Sequence, residues 1–238
     1  MLLSDNKNFH KFARANRVGA TSLDKYTKYQ DSLFPGRVIP KGMSPMVIEE
    51  RSLNISTISV FDRLMMDKII FLGTEIDDYV ANIINAQLLY LSNETEADDK
   101  EPISMYINSP GGDVYSGLAV YDTMQAIDVP PTTCVMGVAA SMAFILAIAG
   151  RKKHRYALKH SRLMCHQPWG GPGAVQATDL DIYNKEMQEL KVDLLNLIAK
   201  HTGQDIAKVK EDCERDYWMT TDRAIDYGAI DKKMLKTR

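Results

Sequence analysis

Residues 134–150 read CVMGVAASMAFILAIAG, seventeen in a row without a charge, and RKKHR follows at 151–155. A membrane span needs about 20 predominantly apolar residues. This run is shorter, diluted by Gly137, Gly150, Ser141 and several alanines, and preceded by Pro130 and Pro131. The β-branched part TTCVMGV (132–138) predicts a buried strand, and AASMAFILAIAG (139–150) predicts a helix. Ser141, the run's only hydroxyl, then falls at or just inside a helix N-terminus. It is either an N-cap or a nucleophile in the positive end of the helix dipole, among neighbours small enough to admit substrate.

Working outward, strands and helices alternate. DKIIFLG (67–73) reads as a strand and 77–92 as an amphipathic helix on Val80, Ile83, Ile84, Leu88 and Leu91. ISMYINSPGG (103–112) is a strand entering a tight turn, 114–127 a helix, and RYALKHSRLMCHQP (155–168) one or two strands. A long amphipathic helix is expected over 177–200, closed by Gly203. Two short helices follow, IAKVKEDC and TTDRAIDYG, the latter capped by Thr220 or Thr221 and stopped by Gly228. Upstream, PMVIEE (45–50) and LNISTISVFDRLM suggest short extended pieces. The alternation predicts an α/β fold with a largely parallel sheet, where chemistry gathers at strand ends.

Composition narrows the function. Of 238 residues, 45% are hydrophobic and 25% charged, and the net charge is −2. That balance suits a globular protein and gives no support to nucleic acid or membrane as partner. Of the 29 Lys/Arg and 31 Asp/Glu, eight basic and three acidic residues lie in 1–44, leaving 21 against 28 in the rest. The basic leader reads as a surface arm or a removable segment. Cys134, Cys165 and Cys213 form no CxxC, which fits a reducing compartment, and no metal-ligand spacing appears.

Three further positions could join Ser141 in chemistry. Asn108-Ser109-Pro110-Gly111-Gly112 is an ordinary tight turn or a set of bare amides for an anion or oxyanion. GGDVYSG is neither GxGxxG nor a Walker loop. His166 ends an apolar strand beside an open glycine-rich connector, as a core histidine or a general base. His10 lies in the leader, His154 follows a basic run, and His201 ends a helix, where a capping role suffices. Adjacent strand residues face opposite ways, so Cys165 is expected in the core, away from His166. Asp216, between KVKEDCER and Tyr217-Trp218-Met219, is expected to be partly buried, as a structural carboxylate or as the group that orients a base.

In order along the chain, NSPGG, GVAASMA, MCHQPWGG, QATDLDI, KHTGQ and CERDYWMTTDRAIDYGAID resemble the ClpP family of self-compartmentalised serine peptidases, from about Pro45 to the C-terminus. The resemblance implies a crotonase-like fold of stacked β-β-α units with a protruding strand-helix handle (helix 177–200 and its preceding strand). It implies an endopeptidase in which Ser141 is the nucleophile, His166 the general base and then acid, and Asp216 the holder of the imidazole tautomer. Amides of Gly112 and Met142 would form the oxyanion hole. Gly111, Asp113, Val114, Trp169 and Gly170 would bind unfolded polypeptide as an added strand, with broad specificity. Two stacked heptameric rings would dock an AAA+ unfoldase (ClpX- or ClpA/ClpC-like) at a cleft containing Tyr106, and ATP would belong to that partner, leaving this subunit without a cofactor. The leader 1–44 would be a propeptide cleaved near 43–45, ahead of a peptidase domain over 45–238. A bacterial cytoplasm is expected, an organelle matrix or stroma being the weaker choice because of Asp5 and Asp24. A crotonase-type acyl-CoA enzyme or a non-catalytic ring scaffold would not need Ser141, His166 and Asp216 together.

The chain also departs from the family pattern. RSLNISTISVFD (51–62) lacks the family's Gly-Glu-Arg element, Ser104 replaces a common docking aromatic, and WGGPGAVQA (169–177) is one residue longer, with Pro172 removing an N–H.

Overall fold

The computed structural model describes residues 46–51, 54–93, 102–128, 130–171 and 173–234, with backbone alone for 46–58. The leader, its expected cleavage point and Pro172 lie outside the described residues.

Strands β1 (Met46–Arg51) and β2 (Asn54–Ser59) pair antiparallel as a hairpin. Helix α1 (Val60–Met66) follows at once, because Ser59 Oγ accepts the Asp62 N–H at 3.0 Å and so caps the first turn. The extended reading of LNISTISVFDRLM therefore holds only to Ser59; VFDRLM is helical.

Among the described residues the main sheet has seven strands. Its path runs β3 (Ile69–Leu72), β4 (Ser104–Ser109), β5 (Thr132–Ala140), β6 (Arg155–Ala157) and β9 (Lys232–Lys233). All pairings along this path are parallel. Strand β7 (Arg162–Cys165) runs parallel to the second half of β5, and β8 (Tyr217–Thr220) adds antiparallel to β7. The expected α/β fold with a largely parallel sheet is present. Buried Met105, Ile107 and Ser109 alternate along β4, the pleat's period of two.

Helix α2 (Asp78–Asn93) buries Ala81, Ile84, Leu88 and Leu91, and α3 (Val114–Ala126) buries Val120, Tyr121 and Met124. Both lay one stripe on the core. Helix α4 (Met142–Ile148) is buried on every residue, which explains why its sequence is apolar all round. The opening run therefore contributes a central strand and an interior helix. Their break lies at Ser141, not at Gly137–Ala140 as the run suggested. Ala139 and Ala140 stay in the strand because they pair with Leu163 and Met164 of β7, a partner invisible to local periodicity.

Helix α5 (Ala177–Thr202) buries only residues of its second half, Leu190, Leu194, Leu195 and Ile198, while Leu180 and Ile182 are exposed. The strand expected ahead of it is absent among the described residues of 167–176. An added strand needs a paired edge, and among the described residues no strand pairs with that segment. Two short helices, α6 (Ile206–Asp212) and α7 (Thr221–Asp226), flank β8. Thr220 caps α7 as anticipated, through Oγ1 to the Arg223 N–H.

Candidate active site

Strand β5 and helix α4 meet at Ser141 with φ +55° and ψ −125°. For a residue bearing a Cβ this is left-handed backbone costing about 1–3 kcal/mol. The strain is held by the Ser141 N–H donating to Met164 O at 3.0 Å, and by its carbonyl accepting from Phe144 and Ile145. The side chain makes no cap hydrogen bond. Its Oγ instead lies 2.9 Å from His166 Nε2. An N-cap role thus fails to explain the serine.

His166 directly follows β7, and the next residue is pinned by its N–H donating to Cys213 O at 2.8 Å. On the far side of the ring, Nδ1 lies 3.4 Å from Asp216 Oδ1. That is long for a hydrogen bond, though such contacts tighten in substrate complexes. The Asp216 side chain is 61% exposed against 14% for His166, so the expectation of partial burial is corrected. The aspartate sits on the turn between α6 and β8, and the antiparallel pairing of β8 with β7, Cys165 opposite Tyr217, carries it to the histidine.

Across the cleft, the backbone of 109–113 is clamped. Ser109, fully buried, accepts the Gly111 N–H on Oγ at 3.1 Å. Ile76 N–H donates to Gly111 O, and Asp113 N–H to Ile76 O, both at 2.8 Å. The Gly112 N–H between them donates to no protein acceptor among the described residues. The Met142 N–H opens α4, where no intrahelical acceptor exists. Gly111 (φ +94°) brings the two together: a Cβ there would stand 2.5 Å from Ala140 O, 2.8 Å from Ser141 Cβ and 2.9 Å from Met142 N. Only glycine permits that approach.

A cleft of about 710 Å³ joins Gly111, Gly112, Ser141, His166, Trp169 and Asp216, with Glu75, Gln167, Glu214 and Arg215 also on its walls. Beneath Ser141 a small apolar recess is lined by Val114, Met142, Phe144, Ile145, Pro168 and Leu194. Trp169 is 81% exposed, and Gly170 follows it with φ +148°. Asp113 is the cap of α3, Oδ1 accepting the Ser116 N–H at 2.7 Å, so its amide and carboxylate are both committed within the chain. Cys165 is buried as expected; a hydrogen bond with Cys213 and burial push its thiol pKa far up. Among the described residues no group of three or more His, Cys, Asp or Glu could hold a metal, and no helix is long and apolar enough to cross a membrane.

Tyr106 lies apart from the cleft, half-buried on β4, in register with Phe71 of β3 and Cys134 of β5. Burial, then the Cys134 thiol, raises the pKa of its hydroxyl. Phe61 packs on Phe71 at 6.1 Å between ring centroids, so two aromatics lie on the side of Tyr106 that faces β3. Sequence reasoning missed the clamp through Ser109 and Ile76, and missed Gln167 and Glu214 on the cleft wall. Ser109's place inside the NSPGG turn was the available signal.

Comparison with known proteins agrees with this architecture. The family described as Clp protease matches residues 52–237. The ATP-dependent Clp protease proteolytic subunit of Porphyromonas gingivalis is 49% identical over 231 residues, covering 97% of this chain and 98% of the relative. The subunit of the same name from Bacteroides fragilis is 53% identical over 194 residues, covering 82% and 92%. ATP-dependent Clp protease proteolytic subunit 1 of Salinibacter ruber is 42% identical over 211 residues, covering 87% and 89%. The chain belongs to the Clp protease family, a family of serine peptidases.

Proposed function

We propose that this member of the Clp protease family cleaves unfolded polypeptide through an acyl-enzyme on Ser141, with His166 as base and then acid and Asp216 holding the imidazole. The 2.9 Å contact between Ser141 Oγ and His166 Nε2 carries the reading. In that geometry Oγ attacks the scissile carbonyl as its proton passes to Nε2, and Asp216 keeps the other ring proton on Nδ1. The developing oxyanion is met by the amides of Gly112 and Met142, two donors already fixed before substrate arrives. The tetrahedral intermediate collapses as imidazolium returns the proton to the leaving amine. Water then repeats the sequence on the acyl-enzyme. The clamped Gly111–Gly112 backbone, with Val114 at the recess, forms one lip for the substrate, and Trp169–Gly170 the other. Hydrolysis of this kind uses no metal or cofactor in the subunit.

The relatives' printed names call them ATP-dependent, and we carry that to this chain as dependence on an AAA+ Clp unfoldase that spends the ATP. The patch of Phe61, Phe71 and Tyr106 is its proposed dock. Two stacked heptameric rings, a cytoplasmic location and removal of the leader 1–44 complete the proposal. Ser141→Ala is the test. A fluorogenic peptide cleaved by wild type should lose at least about 10⁴-fold in rate in the variant, with folding unchanged. Cleavage that persists would reject Ser141 as nucleophile.

A further inference from the structure

We propose that Lys191 of α5 is a positioning residue that holds the His166 loop and the Asp216 turn in register. The inference rests on the triad reading above. Lys191 Nζ donates to Gln167 Oε1 at 2.6 Å and lies 3.8 Å from Glu214 Oε2. Gln167 Nε2 in turn donates to Glu214 O at 3.2 Å, and the Gln167 N–H to Cys213 O at 2.8 Å. Gln167 is the residue after the base, and Glu214 stands two before the orienting carboxylate. One ammonium, its side chain 22% exposed, therefore gathers both segments.

The device answers a weakness in the site. Asp216 is largely in water and 3.4 Å from Nδ1, where thermal motion of an exposed turn easily lengthens the contact. Misplacement of about 1 Å in a catalytic constellation can cost on the order of 10²-fold. A charge-assisted hydrogen bond from a half-buried helix is a stiffer support than a surface turn alone. The same helix reaches the opposite lip, where Tyr115 Oη donates to Glu186 Oε1 at 3.0 Å, beside Val114. Helix α5 thus touches both sides of the cleft, five residues apart, and Lys191 serves the side that carries the base.

The test uses the full chain in its assembled form. Lys191→Met keeps the unbranched apolar stem and removes the ammonium donor. Expected are a kcat for peptide hydrolysis lowered about tenfold or more, KM within about twofold, and labelling of Ser141 by a fluorophosphonate slowed in parallel, since both report activation of the nucleophile. Lys191→Arg restores a charged donor and should return the rate to within about threefold. Gln167→Ala should mimic Lys191→Met, with the double variant no worse than either. Sedimentation velocity is run on each. Rate and labelling of Lys191→Met within twofold of wild type would overturn the proposal, as would a loss that follows disassembly. Failure of the fluorophosphonate to label wild-type Ser141 would instead remove the triad reading itself.

Discussion

The two halves of the candidate triad are built differently. Ser141 stands where a central strand enters a helix buried on every residue, its neighbours held by Gly111 at contact distance. Asp216 stands on a turn with its side chain 61% exposed, reached by a 3.4 Å contact. The proposed nucleophile and oxyanion donors are therefore built into the core, so substitutions there are expected to disturb the fold. Asp216, the proposed orienting carboxylate, is appended to that core through β8 and through Gln167, and its exposed side chain is expected to be altered at little cost to packing. Rigidity sits at the proposed nucleophile. Adjustability sits at the carboxylate proposed to orient the base.

The largest effect should come from the buried half. Gly111→Ala sets a Cβ against Ala140 O, Ser141 Cβ and Met142 N, all backbone or backbone-fixed, at a φ of +94°. Nothing there can yield as a flexible side-chain tip would. A stability loss of about 2–4 kcal/mol is expected, together with loss of peptide hydrolysis, read by thermal melting and by turnover. A variant that melts like wild type would show that the buried half is softer than its packing implies.

Asp216→Asn probes the exposed half. The amide can still meet Nδ1, but it favours the wrong tautomer and supplies no charge for the imidazolium. A buried triad aspartate is worth about 10⁴ in kcat. With Asp216 solvated and distant, about 10²–10³ is expected, at unchanged melting temperature. A clear fall in melting temperature would mean that the turn is structural after all, and the contrast between the halves would collapse.

Legibility in the sequence follows the same division. The strand–helix junction at Ser141 was readable because small residues interrupt an apolar run, and only its boundary was misjudged, since pairing of Ala139 and Ala140 with β7 depends on residues about 25 positions away. His166 was marked by its place at a strand end. Asp216 was singled out by its flank of apolar Tyr217-Trp218-Met219, but the burial expected of it was wrong, because its place by the histidine depends on β8 lying antiparallel to β7, and YWMT is too short to announce a strand. Helix α1 was missed although Ser59 and Asp62 spelled its cap, because the β-branched residues before it favoured continued extension. The Lys191–Gln167–Glu214 link was illegible, joining three segments that only the tertiary fold assembles.

The smallest effect concerns the far end of α5, where the helix is tied to the core instead of to the cleft. Arg155, 3% exposed, donates Nη1 to His201 O at 2.9 Å and pairs with Asp231 at 2.7 Å. His201 itself is pushed down to about 4, by burial first and then by Lys200, Arg155 and Lys152. Its Nε2 lies 2.8 Å from Tyr121 Oη, which also accepts from Lys200, so the phenol donates to a neutral imidazole. The unfolded value is about 6.5. With the folded pKa depressed, His201 contributes stability that is whole above about 6.5 and is lost as pH falls from there toward 4. Asp231 adds a second acid loss lower down. Burial acts to raise its pKa, but the Arg155 hydrogen bonds more than offset this and hold it below the usual carboxylate range. In His201→Gln no proton is taken up in the upper window. Its melting temperature should be flatter than wild type between pH 6.5 and 4 and should parallel it below, while neutral-pH hydrolysis stays unchanged. An equally steep decline in the variant would place the acid sensitivity elsewhere, and slowed hydrolysis at neutral pH would mean that the core-bound end of α5 also governs the cleft.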